Sequence, residues 1–182
     1  MDSIVPQLLL CWVVIFTVIN LTFGLSQKIR NAGIVDVLWG FSFCAVTIFF
    51  TLTGDGDETR RIFLAVATSL WSGRLGIYLL MRWKSLHPIE DKRYAELRQK
   101  WGANANLYMF GMFHWQGALI MIFSPIFAVP TWNSNTGMSL VEWIGLAIVA
   151  IAIVGESIAD WLSLIHISEP TRLLSIGDDV VW

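Results

Sequence analysis

Charge is scarce in this sequence. Charged residues make up 14% of the 182, hydrophobic residues reach 55%, and the mean hydropathy is +0.63. A soluble domain of this size carries roughly 25% charged residues, so much of the chain must lie out of water. A basic patch is lacking as well. The net charge is −2 and the Lys and Arg residues are not gathered on one stretch, which argues against a nucleic-acid partner. Cysteine stops at two, Cys11 and Cys44, both inside apolar runs and without metal-ligand spacing. They read as packing residues, and no metal is expected. No glycine-rich phosphate loop, nucleophile elbow or zinc motif is present. The first apolar stretch opens on Asp2 rather than basic residues and outruns a signal-peptide core, so it is expected to be a span and not a cleavable signal. Repeats, low-complexity tracts and long linkers are absent too, leaving one domain as the simplest count.

What the chain does have is apolar length. A helix needs about 20 apolar residues to cross the hydrocarbon layer. Five segments reach that length: Ile4–Leu25, Ile34–Thr53, Ile62–Met81, Tyr108–Val129 and Leu140–Trp161. Turn residues separate them, Gly54 to Asp57 after the second and Pro130 to Gly137 after the fourth. In lipid, backbone groups must be paired within the segment, so the spans must be helices. The expected fold is an all-α, five-span transmembrane bundle. Loops one and three carry Lys28, Arg30, Arg82, Lys84, Lys92, Arg93, Arg98 and Lys100, whereas loops two and four carry Arg60 and Arg61. The positive-inside bias then places the N-terminus outside and the third loop in the cytoplasm. Within that loop a short helix is expected from Pro88 to Trp101, with Glu90 and Asp91 in its first turn and Gly102 as its stop. Tyr94, Leu97 and Trp101 share one face, which suits a helix lying on the membrane surface or a solvated connector.

Ionisable residues inside spans are costly and therefore mark candidate sites. Asp36 lies one turn into the second span, Arg74 near the middle of the third, and His114 early in the fourth. Glu156 and Asp160 lie four residues apart on one face of the fifth. Trp71, Arg74, Tyr78 and Arg82 recur at helical steps and form a polar stripe. Arginine suits phosphate and carboxylate because its planar fork of donors is always charged. Two readings stand side by side. These groups line a cavity for an anionic, ring-bearing cofactor and a lipophilic substrate, or Asp36 and Arg74 pair only to hold two helices together. Glu156 and Asp160 carry the bland alternative of snorkelling or capping, and His114 that of a hydrogen-bonded interface residue.

Four stretches carry a family resemblance: Asn31–Gly40, Leu70–Leu75, Glu90–Tyr94 and Gly155–Trp161. They read N-x-x-I-V-D-x-x-W-G, L-W-x-x-R-L, E-D-x-R-Y and E-x-x-x-D-W, in order. This resembles an uncharacterised bacterial membrane family (domain of unknown function 1295) related to the C-terminal domain of steroid 5-alpha-reductases. The resemblance covers residues 1–161. It implies a helical-bundle enzyme that uses NADPH to reduce the C=C bond of a lipophilic, steroid- or isoprenoid-like enone. It further implies Asp36, Arg74 and Tyr78 at the reacting centre, with Glu156, Asp160, Arg82 and Arg93 holding the cofactor. A bacterial inner membrane, with the cofactor side towards the cytoplasm, is the implied location. After Trp161 the resemblance stops, and residues 162–182 read as a foreign tail. The chain is therefore expected to be a truncated, inactive fragment. Alternatives from other classes are an isoprenylcysteine-type methyltransferase using S-adenosylmethionine and a non-enzymatic membrane protein.

Overall fold

In a computed structural model, residues 4–168 are described, apart from the side chains of residues 160, 161 and 163–168. All regular structure among the described residues is helical: α1 (Ile4–Ile29), α2 (Ile34–Thr53), α3 (Glu58–Leu86), α4 (Lys92–Trp101), a single 3-10 turn (Gly102–Asn104), α5 (Ala105–Thr131) and α6 (Leu140–Ser168). Among the described residues, five helices are long and apolar enough to cross a membrane. They turn large apolar side chains outwards. Leu52 is 78% exposed while Phe50, two residues away, is fully buried. Such exposed apolar surface is unusual on a soluble monomer and suits a lipid solvent. The expected spans are all present, most of them longer than expected, because polar residues such as Glu58 and Arg82 extend α3 past the hydrocarbon at both ends.

The chain forms two compact units, Met1–Met138 and Ser139–Trp182. In the first, α2 and α3 are held together by small residues. A Cβ on Gly40 would sit 2.8 Å from Gly76 Cα, and one on Gly76 would sit 2.7 Å from the Phe41 ring. The Ser72 hydroxyl donates to Gly40 O at 2.6 Å and accepts from Cys44 N at 2.9 Å. It thus inserts into the α2 bond ladder, the kind of close approach by which membrane helices associate without a hydrophobic drive. Ile15, Ile19, Phe43, Phe50, Phe113 and Ile120 fill the core shared by α1, α2 and α5.

Helix α5 passes through Pro125 and Pro130 and ends only at Thr131. Proline cannot bond the carbonyl four residues back, so Pro125 releases Met121 O. The Ser124 hydroxyl takes that carbonyl at 2.8 Å, and the Trp12 indole of α1 donates to Ser124 Oγ at 3.0 Å.

Where α2 and α5 end and α3 begins, Arg60 is buried. Its guanidinium donates to Asn133 O at 3.0 Å, Asn135 O at 2.9 Å and Gly137 O at 2.7 Å. Arg61 donates to Thr51 O at 2.9 Å and Gly54 O at 2.7 Å. These carbonyls belong to helix ends and turns, where the helical ladder supplies no donor; Asn133 O also accepts from Asp57 N at 2.9 Å.

In the second unit α6 begins with a reciprocal cap. Ser139 N donates to Glu142 Oε2 at 2.7 Å, and Glu142 N donates to Ser139 Oγ at 3.3 Å. The helix runs past Trp161 to Ser168 without a break. Residues 169–182, most of the expected foreign tail, lie outside the described residues.

The α2–α3 approach gives a direct test. Gly40→Val should lower the thermal stability by about 1–3 kcal/mol through overpacking against backbone. Gly73→Ala, on the same helix pair but with nothing within 4 Å of the new Cβ, should leave it unchanged or slightly raised. Equal melting temperatures for Gly40→Val and the parent would contradict the packing.

Candidate functional site

The turn from α1 to α2 is built by Asn31. Arg30 ends α1 at a φ of 52°, and Asn31 N closes that helix on Ser26 O at 3.1 Å. The Asn31 side chain then accepts from Gly33 N at 3.0 Å and donates to Ile89 O at 3.3 Å. Ala32 N donates to Glu90 Oε1 at 2.8 Å, and Glu90 is gripped by Arg98 Nε at 2.9 Å. The first turn of α2 follows with Asp36. Its two oxygens accept from Tyr94 Oη at 2.5 Å and Arg93 at 2.8 Å. The long-range partners of the turn thus come from the segment between α3 and α4 (Ile89 and Glu90) and from α4 itself (Arg93 and Tyr94), more than fifty residues on.

That segment is organised around Asp91, which is buried and caps α4. Its Oδ1 accepts from the Arg93 backbone N at 3.0 Å and from Arg93 Nε at 3.1 Å. Its Oδ2 accepts from Arg93 at 3.1 Å and from Arg82 at 2.9 Å. The Arg93 side chain bonded to it holds the Asp91 carboxyl below the usual carboxylate range, with the Arg82 charge adding to the effect against the cost of burial. The helix therefore starts at Lys92, not at Pro88. Glu90 and Asp91 precede it, and their side chains serve the turn and the arginines rather than the first helical turn.

Of the candidate residues, Asp36, Arg82 and Arg93 are brought together. Arg74 and Tyr78 do not join them. Packing of Gly40 on Gly76 and Ser72 on Cys44 fixes the register, so Asp36 lies beside Leu79, Arg82 and Trp83. Arg74 is eight residues before Arg82, about 12 Å deeper along the helix. Asp36 takes its partners from α4, Arg93 and Tyr94, in place of the Asp36–Arg74 pair that was one of the two readings of the sequence. Glu156 is exposed on α6 in the second unit, and the side chain of Asp160 lies outside the described residues. His114 is held by its own helix, Nδ1 lying 2.9 Å from Phe110 O, with Phe16 of α1 edge-on to the ring.

Tyr94, Asp91, Glu90 and Asn31 were not singled out as site residues from the sequence. Their signal was present: one stretch offers Asn and Asp, the other Glu, Asp, Arg and Tyr, and the two sets complement one another. Chemically, the cluster joins a phenol hydrogen-bonded to a carboxylate with two guanidiniums converging on a second carboxylate. Arg82 is 44% exposed and Arg93 55%. Arg82 commits one of its five N–H groups to Asp91, which leaves donors for an oxyanion. Among the described residues no group of His, Cys, Asp and Glu could hold a metal ion.

Asp91 sets a pH dependence. Because its folded pKa is depressed, its stabilising contribution is complete above the unfolded value of about 3.9 and is lost as pH falls below it. Asp91→Asn should lower the melting temperature at pH 7 and flatten its fall between pH 5 and 3. Parallel acid limbs for parent and variant would contradict this.

No curated protein and no solved structure matches the chain significantly. A family match covers residues 22–182, most of the length and including residues 162–182. With membrane-crossing helices and a polar cluster built by two of its motif stretches, the chain belongs to the family described as "Protein of unknown function (DUF1295)".

Proposed function

We propose that this protein is part of an NADPH-dependent membrane reductase acting on the C=C bond of a lipophilic enone, with its reacting centre at the Asp36–Tyr94 pair. The observation that carries the reading is the convergence, in one cluster at a bundle end, of a phenol–carboxylate pair and two half-exposed arginines. Tyr94 can polarise a ketone oxygen by hydrogen bonding, as a general acid does. Its single O–H proton is engaged by Asp36, so the hydroxyl must turn to the substrate while Arg93 balances the Asp36 charge. Arg82 and Arg93 would hold the cofactor phosphates, which suits their remaining donors. The cofactor, when bound, supplies the hydride to the β carbon, and a proton completes the α carbon. In this reading Arg74 and Tyr78 line the deeper path of the substrate. The basic residues of loops one and three share the cluster's end of the first unit, which supports a cytoplasmic position for the cluster.

A non-enzymatic role is favoured by a different observation: each carboxylate of the cluster is already matched to an arginine, as in a structural knot. Binding separates the readings. The protein in nanodiscs is titrated with NADPH and with S-adenosylmethionine. NADPH should bind, Arg82→Gln should weaken binding about tenfold, and Tyr94→Phe should reduce enone turnover with little change in affinity. S-adenosylmethionine binding alone would favour a methyltransferase, and binding of neither would leave the structural reading.

A further inference from the structure

Beside the cluster lies a small polar cavity of about 20 Å³, walled by Asn31, Gly33, Asp36, Trp83, Asp91 and Arg93. The Trp83 indole Nε1 is buried and has no protein partner. Gly33 makes room there. A Cβ at that position would come 3.1 Å from Asn31 Oδ1 and 4.0 Å from Trp83 Nε1. The glycine backbone is helical, with φ −59° and ψ −15°, so conformational freedom does not require glycine here. What the missing Cβ leaves is a cradle between a donor and an acceptor.

We propose that this cavity binds one ordered water, which accepts from the Trp83 indole N–H and donates to the oxygens of Asn31 and Asp36. The volume decides the size of the occupant, since one water needs roughly 10–15 Å³ of such space and two to four polar partners. Charge decides its kind. Arg82 and Arg93 in the wall disfavour a cation, and the carboxylates of Asp36 and Asp91 disfavour an anion. A neutral molecule that both donates and accepts remains. Acceptor capacity is available, because a carboxylate offers about four lone-pair sites and Asp36 uses two of them, for Tyr94 and Arg93. A buried N–H left unmade is costly, and the water removes that cost. It also ties the end of α3 to the carboxylate that receives Tyr94, independently of any enzymatic role.

The test replaces Trp83 by 3-benzothienylalanine, which keeps the ring shape and substitutes sulfur for the N–H group. In the full chain in nanodiscs, loss of a water-mediated bond should lower the melting temperature by about 2–4 °C, as expected for one ordinary hydrogen bond in a chain of this size. An unchanged or higher melting temperature would overturn the proposal, since removing an unpartnered buried donor relieves a penalty. An experimental map that resolves ordered solvent should show a peak within hydrogen-bond distance of Trp83 Nε1. A map that resolves solvent elsewhere at this depth and shows none there would overturn it equally.

Discussion

A carboxylate one turn inside a membrane helix must be matched, and the rest of the first unit follows from how Asp36 is matched. Its oxygens receive Tyr94 and Arg93 from α4. To deliver them, the chain must bring α4 back against the start of α2. Asn31 and Glu90 then fasten the two turns to each other through backbone groups. The carboxylate sits in the first turn of α2, where the helix dipole also favours negative charge. Removing the partners would leave a partly buried anion with the choice of protonating or drawing in water, either of which costs several kcal/mol.

The opposite end of the bundle solves the converse problem. There the unmatched groups are carbonyls at the ends of α2 and α5, and buried Arg60 with Arg61 supplies the donors. Gly54 and Gly56 let the turn close against Thr131 and Asn133, where a Cβ would lie 2.4 to 2.7 Å from a backbone oxygen. Between these polar knots the helices need only shape. Gly40, Gly76 and Ser72 bring α2 and α3 close, and that register decides which arginine of α3 reaches the cluster. Arg82 therefore belongs to the site and Arg74 lies deeper.

Much of the helical architecture was legible because the bilayer imposes a length and excludes alternatives. Span α2 is legible to the residue, since Gly33 and Gly54 flank an apolar run in which Asp36 is the one charge. Span α5 was read as ending before Pro130, but the helix continues to Thr131, proline being tolerated where neighbouring groups take up the released carbonyls. The site was legible in its parts and not in its pairing. Asp36 stood out as an intramembrane charge, yet charge alone could not choose between Arg74, Arg82 and Arg93, because the choice depends on helix register. Pro88, Glu90 and Asp91 looked like the opening of a helix by local rules. The same acids are taken by Arg82, Arg93, Arg98 and the Ala32 N–H, a tertiary demand that moved the helix start to Lys92. Tyr94 was placed on a membrane-facing stripe by periodicity, which cannot show that its hydroxyl points to a carboxylate fifty-eight residues earlier.

The mutual hold of the two polar segments is measured most directly by a double-mutant cycle on the Asp36–Tyr94 contact. Unfolding free energies of the parent, Asp36→Ala, Tyr94→Phe and the double variant would be compared in one detergent at pH 7. A hydrogen bond to a charged acceptor predicts a coupling of about 1.5–3 kcal/mol. Effects that add to within about 0.5 kcal/mol would mean the two residues do not hold each other, and would contradict the account.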